Sequence, residues 1–232
     1  MRTLVLCALL CSAAVAQEPV RQAFPAGFPN EEGRPVSVVN SGDRGLWFLS
    51  ANGVFRYAGD AAELAVEVDD PSALFFDGDT MRVGNGVGEL IAANPFTGQI
   101  HSRQSLADSV PVSCVVRFAG HVLAGTAGSG IVNVYKPQDD EKPELSDPFV
   151  YAMAVEGDRL YVATDRGVDV FDSTFNRIGT FPETGITSSL AVIGNSVYAG
   201  SYNRGLWKID RGDGATQIEG VPQKTEIAQL LN

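Results

Sequence analysis

Residues 190–209 read LAVIGNSVYAGSYNRGLWKI: an apolar run, a Gly-Asn turn, a second apolar run, a turn closed by Gly205 and a third run. Short β-rich runs bounded by glycine, asparagine and aspartate are typical of antiparallel hairpins. Four other segments share this layout, and they begin at Ser37, Ala73, Cys114 and Ala152. The sequence therefore predicts five repeats of three strands each.

One glycine closes the second turn of every repeat. These glycines are Gly53, Gly88, Gly130, Gly167 and Gly205, and their successive separations are 35, 42, 37 and 38 residues. Glycine suits such turns because it adopts a positive φ without a Cβ clash. The polar segments between repeats can each supply a fourth, outer strand. Four antiparallel strands repeated at this period predict an all-β fold, a β-propeller of four-stranded blades.

The two ends of the repeat region fit the pattern less well. TEIAQLLN at residues 225–232 resembles the first strand of a further blade, and VRQAFPAGF from Val20 resembles an outer strand. We therefore expect the propeller domain over residues 34–232, with five full blades plus terminal strands. An incomplete six-bladed propeller is the alternative. Residues 17–33 then form an N-terminal segment that contains an outer closing strand.

The first 16 residues have the layout of a secretory signal peptide. One arginine precedes an apolar run from Leu4 to Leu10, and Ala14-Val15-Ala16 stands before Gln17. The run is too short to span a bilayer, and A-x-A is a cleavage signal. We predict cleavage after Ala16 and a secreted or periplasmic protein that is not inserted in the membrane.

The remaining composition limits the choice of partner. The net charge is −11 with the acids spread through the chain, which argues against nucleic acid as a partner. Cys114 stands among valines and is predicted to be a buried, inert thiol. His101 and His121 have no cysteine or carboxylate placed to complete a set of zinc ligands. We therefore predict no metal site and no cofactor.

Two repeats resemble a known type of propeller. SVYAGSYNRGLWKID in the fifth repeat and LYVATDRGVDVFD in the fourth resemble the two-component-regulator type, in which a pattern like LWxGT-x-x-G-GLxxxD recurs. YVTN, Kelch and quinoprotein-like propellers share many of the residue types of this pattern. The resemblance covers most of the mature chain at the level of blades and is close in these two. It implies an extracytoplasmic module for sensing or binding.

In a propeller, the turn between the second and third strands and the linker between blades lie on one face, where ligands usually bind. We call it the loop-rich face. The alignment places these candidate ligand-binding residues there: Asn52, Ser129, Asp165, Arg166, Tyr202, Asn203 and Arg204. The last two blades thus offer groups that suit a carboxylate, a sugar or a peptide. In the competing interpretation Asp165 and Asn203 are ordinary turn residues, and the arginines pair with nearby acids.

Three functions are compatible with these residues. The first is a non-catalytic protein that binds a small molecule, glycan or protein through the loop-rich face, and no catalytic residue is assigned. The second is a propeller hydrolase, lyase or lactonase, which requires several acids at the channel mouth, and only Asp165 is clearly placed there. The third is a structural module of an extracellular assembly.

Two short motifs are interpreted as simple turns. Arg211-Gly212-Asp213 is an RGD triplet in a predicted hairpin between third and fourth strands. Asp77-Gly78-Asp79 aligns with the Gly-Asp hairpins of the other repeats, although its acids suit calcium.

Overall fold

The structure is a computed structural model. It describes residues 45–58, 61–106, 109–136, 142–211 and 214–221, and the backbone of three earlier strands. Those strands are β1 (Leu4–Cys7), β2 (Arg21–Phe24) and β3 (Pro35–Asn40). A 3₁₀ turn at Pro182–Thr184 interrupts the strands. Within the described residues, no helix is long and apolar enough to cross a membrane.

Five antiparallel sheets coincide with the five predicted repeats. Blade 1 contains β3, β4 (Leu46–Ser50), β5 (Gly53–Ala58) and β6 (Ala61–Glu67). Blade 2 contains β7 (Pro71–Asp77), β8 (Thr80–Asn85), β9 (Glu89–Ala93) and β10 (Ile100–Ser105). Blade 3 contains β11 (Val112–Phe118), β12 (His121–Thr126) and β13 (Gly130–Asn133).

The last two blades are complete. Blade 4 contains β14 (Val150–Glu156), β15 (Arg159–Thr164), β16 (Gly167–Phe171) and β17 (Arg177–Phe181). Blade 5 contains β18 (Thr187–Ile193), β19 (Ser196–Ser201), β20 (Leu206–Asp210) and β21 (Gly214–Gln217). Strand order follows the chain in every blade. The prediction of blades is confirmed, although blade 3 has three strands among its described residues instead of four.

The blades pack face to face because neighbouring residues of a strand point to opposite faces of its sheet. In β15, Leu160 and Val162 pack into the cluster shared with blade 3. The residues between them, Tyr161 and Ala163, pack into the cluster shared with blade 5. Two equivalent clusters lie between blades 1 and 2 and between blades 2 and 3. The apolar core is therefore divided into layers between consecutive blades.

The first strand of each blade has a bulge near its start. In blade 4 the register shifts between Val150 and Ala152, and the other four blades shift at the equivalent position. A bulge redirects the side chain of the extra residue. In blade 2 this residue is Ser72, which donates a 2.6 Å hydrogen bond to the Val112 carbonyl at the start of blade 3. Such bonds join consecutive blades at the bulges.

The predicted terminal features lie mostly outside the described residues. An outer closing strand is expected near Val20; the strand there, β2, pairs with β1 in a separate two-stranded sheet. Residues 225–232 are not described. Five blades fit the predicted count, whereas a closing role for the terminal strands and cleavage after Ala16 stay predictions.

Candidate functional site

The turns between second and third strands share one edge with the linkers between blades. The start of β14 pairs with the end of β15, Val150 opposite Thr164. In blade 5 the Tyr202 amide donates a 2.8 Å hydrogen bond to the carbonyl of Ile186, which lies in the preceding linker. This edge is the loop-rich face, and the predicted candidate residues lie along it.

Buried hydroxyl groups hold these turns from below. Thr164 is fully buried; its Oγ1 donates to the Gly167 carbonyl and accepts a hydrogen bond from the Arg166 amide, both at 3.1 Å. In blade 5 the Ser201 Oγ accepts a 3.1 Å hydrogen bond from the Arg204 amide and donates one, also at 3.1 Å, to the Ile186 carbonyl of the linker. Each turn is therefore fixed at its base, and the side chains above it start from a defined backbone.

In blade 4 the turn residues join a polar cluster. Asp165 Oδ1 accepts a 2.8 Å hydrogen bond from the Tyr151 hydroxyl. Arg166 Nε lies 3.6 Å from Asp147 Oδ2 in the linker before the blade, yet 72% of the Arg166 side chain is exposed. Asp147 Oδ1 also accepts the amide of Phe149 at 2.9 Å. We call Asp147, Phe149, Tyr151, Asp165 and Arg166 the blade 4 cluster.

Tyr151 occupies the bulge position, which holds serine in blades 2, 3 and 5 (Ser72, Ser113 and Ser188). Tyr151 is 37% exposed. Burial, the hydrogen bond to Asp165 and the negative charges of Asp165 and Asp147 raise the pKa of Tyr151 to about 12. The phenol is therefore a neutral donor at physiological pH. Sequence reasoning missed Tyr151 and Asp147; the tyrosine in place of serine at this position is the signal that could have identified Tyr151.

Of the candidate ligand-binding residues in blade 5, one is exposed and another is hydrogen-bonded within the protein. Tyr202 is 54% exposed. Arg204 Nη1 instead donates a 3.0 Å hydrogen bond to the Glu183 carbonyl in the 3₁₀ turn. The Arg204 carbonyl accepts bonds from Trp207 Nε1 at 3.0 Å and Gln217 Nε2 at 2.9 Å. Arg204 therefore serves largely to hold the linker and the outer strand together.

The other predicted residues have smaller roles in the geometry. Asn203 Oδ1 lies 3.4 Å from Ser201 Oγ within its own turn. Asn52 and Ser129 are exposed in the turns of blades 1 and 3. The structure therefore brings Asp165 and Arg166 together in one cluster, with Tyr202 on the same face of the next blade.

The residues that were considered for other chemistry have structural surroundings. Burial raises the pKa of the Cys114 thiol to about 12, which keeps it protonated. His121 Nδ1 lies 2.8 Å from Asn133 Nδ2 within blade 3. Asp77 of the Asp77-Gly78-Asp79 turn is bound by arginines of blades 2 and 3. No group of three or more histidine, cysteine or acidic residues in the described part is arranged to hold a metal ion.

The RGD arginine is also engaged. Arg211 contacts Asp158 through Nη2, and its Nε lies 3.7 Å from Glu156 Oε2. Both acids belong to blade 4, so this contact fastens blade 5 to its neighbour on the edge opposite the loop-rich face. Gly212 and Asp213 lie outside the described residues.

No known family model matches this chain, and no curated protein matches it. Solved structures match its fold. The extracellular domain of BT4673, a proposed one component system from B. thetaiotaomicron, aligns with a TM-score of 0.68 at 15% identity, over 91% of this chain and 33% of that chain. The fold is a β-propeller.

Two further solved structures show the same likeness. The computationally designed protein Ika8 has a TM-score of 0.62 at 14% identity, over 82% of this chain and 62% of that chain. The Neurospora crassa Pan2 WD40 domain also has a TM-score of 0.62, at 13% identity over 82% of this chain and 67% of that chain. This chain thus spans about a third of the BT4673 domain. At these identities the likeness concerns the fold alone.

Proposed function

We propose that this propeller is a non-catalytic binding module whose ligand contacts the loop-rich face at blades 4 and 5. The observation that supports it best is the hydrogen bond between Tyr151 and Asp165 on the exposed edge. Three other blades use serine at the Tyr151 position, and those of blades 2 and 3 join consecutive blades. Tyr151 replaces a serine that would join consecutive blades, and it reaches the surface instead. Ligand contact explains this tyrosine better than packing does.

The chemistry of the cluster favours a glycan or another polyhydroxylated small molecule. Phe149, Tyr151 and Tyr202 present partly exposed aromatic rings, which can stack on the apolar face of a sugar. Asp165 can accept bonds from hydroxyl groups, and the exposed Arg166 guanidinium can donate to ligand oxygens. A protein ligand would use the same aromatic groups.

An enzyme is the second candidate, because the structure adds Asp147 to Asp165 as a second carboxylate of the cluster. Two carboxylates are the number that glycoside hydrolysis requires. Both are engaged, however: Asp147 by Arg166 and the Phe149 amide, and Asp165 by the Tyr151 hydroxyl. These contacts make the carboxylates binding and positioning groups, so we favour binding without turnover.

We also propose that the protein works outside the cytoplasm. The predicted signal peptide and the extracellular BT4673 domain among the structural neighbours support this location. Expression with epitope tags and cell fractionation tests it: the mature protein should begin at Gln17 in the periplasmic or secreted fraction. A full-length chain recovered from the cytoplasm would contradict it.

A glycan array tests the binding proposal, with the purified mature protein and labelled oligosaccharides as the probes. Asp165→Asn and Tyr202→Ala should each weaken the best signal about tenfold, in line with the loss of one good contact. Tyr135→Phe is the matched control, because Tyr135 lies at the blade 2–3 contact on the opposite edge. Absence of any glycan signal above background overturns glycan binding, and product release from a bound glycan would favour the enzyme.

A further inference from the structure

A concave site lies between blades 4 and 5, away from the loop-rich face. It has a volume of about 250 Å³ and opens between the outer strands β17 and β21. Its lining residues are Arg159, Tyr161, Val170, Ile178, Gly179, Thr180, Phe181, Ile209, Asp210 and Gly214. We call it the outer cleft. None of these residues belongs to the blade 4 cluster or to the predicted site.

The floor of the outer cleft is rigid and preformed. Tyr161, Val170 and Ile209 are at most 3% exposed and belong to the apolar cluster between the two blades. Buried side chains at native packing density keep their rotamers, so the cleft does not need a ligand to open it. Gly179 is one of the residues that line the space above this floor, and it has no side chain to occupy that space.

Charge within and around the outer cleft is balanced except at one residue. Lys208 Nζ lies 2.8 Å from Asp210 Oδ1, so these two neutralise each other, and Ser196 Oγ also donates to Asp210. Arg211 is paired with Asp158 and Glu156. Among the described residues Arg159 forms no ion pair within 4.0 Å of a carboxylate, although Glu156 lies directly across the β14–β15 hairpin from it, and its guanidinium lies near the Tyr161 hydroxyl. The guanidinium of Arg159 is therefore the cation available to a ligand.

We propose that the outer cleft binds a small organic carboxylate through Arg159. A guanidinium can hold a carboxylate by two parallel hydrogen bonds, and the half-exposed Arg159 has donors left after its contact with Tyr161. Val170, Ile178, Phe181 and Ile209 would cover the apolar part of the ligand. The volume equals that of roughly eight water molecules, which sets the ligand at the size of a small acid.

The site is independent of the proposed function. The loop-rich face lies at the ends of the second strands, whereas Arg159 begins β15 and Asp210 ends β20, at the opposite ends. A failure to bind glycans at blade 4 would leave the outer cleft intact. The variants that test the two proposals are also different.

Isothermal titration calorimetry with benzoate, hexanoate and succinate tests the proposal on the mature protein. At least one of them should bind with a Kd of about 1 mM or tighter, and its neutral amide should bind at least about tenfold more weakly. Arg159→Gln should weaken the acid about tenfold. Arg56→Gln, which removes an exposed arginine on blade 1, should leave binding unchanged.

A second variant blocks the space instead of the charge. A Cβ added at Gly179 would meet its nearest neighbour, Val170, at an ordinary 3.8 Å, so Gly179→Val should fold and take up part of the cleft. It should abolish binding, and NMR shifts of Tyr161 and Ile178 should map the acid in the wild type. The proposal is overturned if none of the three acids binds, if Arg159→Gln binds as tightly as the wild type, or if the shifts map to the blade 4 cluster. The titration of the three acids and the NMR mapping test the proposal even if Gly179→Val does not fold.

Discussion

The Tyr151 hydroxyl donates a 2.8 Å hydrogen bond to Asp165, and this pair joins the bulge of the first strand of blade 4 to the turn after its second strand. Two elements of the loop-rich face are thereby fixed relative to each other. The Asp165 carboxylate is also the group that we propose accepts hydrogen bonds from ligand hydroxyls. A change in the charge of this pair should therefore also change ligand binding at the face.

The pair predicts a late-titrating tyrosine. Burial and the hydrogen bond to Asp165 raise the folded pKa of Tyr151 to about 12, above the ordinary value of 10.0, so the stability that depends on the neutral phenol is complete below about pH 10 and is lost as pH rises towards 12. Asp165→Asn removes a negative charge and should lower the Tyr151 pKa. Carbon-13 NMR of labelled tyrosine rings measures this, and Tyr151→Phe assigns the signal. An unchanged pKa in Asp165→Asn would contradict the pairing.

Hairpin chemistry made most of this fold predictable from the sequence. Turn glycines at a steady period predicted the blades, and the repeat alignment placed Asp165 and Arg166 on the loop-rich face. The bulges cannot be seen in the alignment. One extra residue in a strand changes the face of the sheet to which a side chain points, but the order of apolar and polar residues stays the same. The role of Tyr151 was therefore missed, as were the contacts of Arg211, whose partners are more than fifty residues away along the chain.

Asp77 predicts an acid-sensitive contact between blades 2 and 3. It binds Arg117 of blade 3, Arg82 at 3.2 Å and the Tyr135 hydroxyl at 3.0 Å. Burial raises its pKa, but these three hydrogen bonds together lower it below the ordinary 3.8. A lowered folded pKa contributes stability above pH 4 that is lost as the pH falls through the folded value.

Asp77→Asn should therefore reduce the free energy of unfolding at pH 7 by about 2 kcal/mol, as for lost hydrogen bonds to charged groups. The loss should shrink as the pH falls below 4. Urea unfolding of both proteins at several pH values measures this, with the exposed Asp69→Asn as control. Equal losses at pH 7 and pH 2 would show that the charge of Asp77 is not the cause.

Close packing between blades 3 and 4 predicts that Gly125 cannot carry a side chain. A Cβ there would lie 2.6 Å from Val150 Cγ1 and 2.7 Å from Cys114 Sγ. Gly125→Ala should cost about 1–3 kcal/mol through overpacking. Thermal and urea unfolding measure the cost, and Gly179→Ala, whose Cβ would make only ordinary contacts at 3.8 Å or more, should be nearly neutral. Recovery of stability in Gly125→Ala/Val150→Ala would identify the clash, and a Gly125→Ala protein as stable as the wild type would refute it.

The contacts of Arg211 with blade 4 predict that the first residue of the RGD triplet stabilises the fold. The Glu156 side chain is only 10% exposed, and its Oε2 has no hydrogen-bond partner among the described residues apart from the ion-pair contact with Arg211. Arg211→Ala would remove the ion-pair partner that this carboxylate has among the described residues and should cost about 1–3 kcal/mol. Arg103→Ala, which breaks an exposed pair with Glu89, should cost less than about 1 kcal/mol.

A double-mutant cycle separates the charge of Glu156 from the packing of the Arg211 side chain. Glu156→Gln removes the buried charge, so Arg211→Ala should be much less damaging in that background. The measurement is the free energy of urea unfolding of the four proteins at pH 7. If Arg211→Ala costs the same with and without Glu156→Gln, the arginine acts through its aliphatic stem and its contact with Asp158. The ion pair between Arg211 and Glu156 would then not hold blade 5 against blade 4.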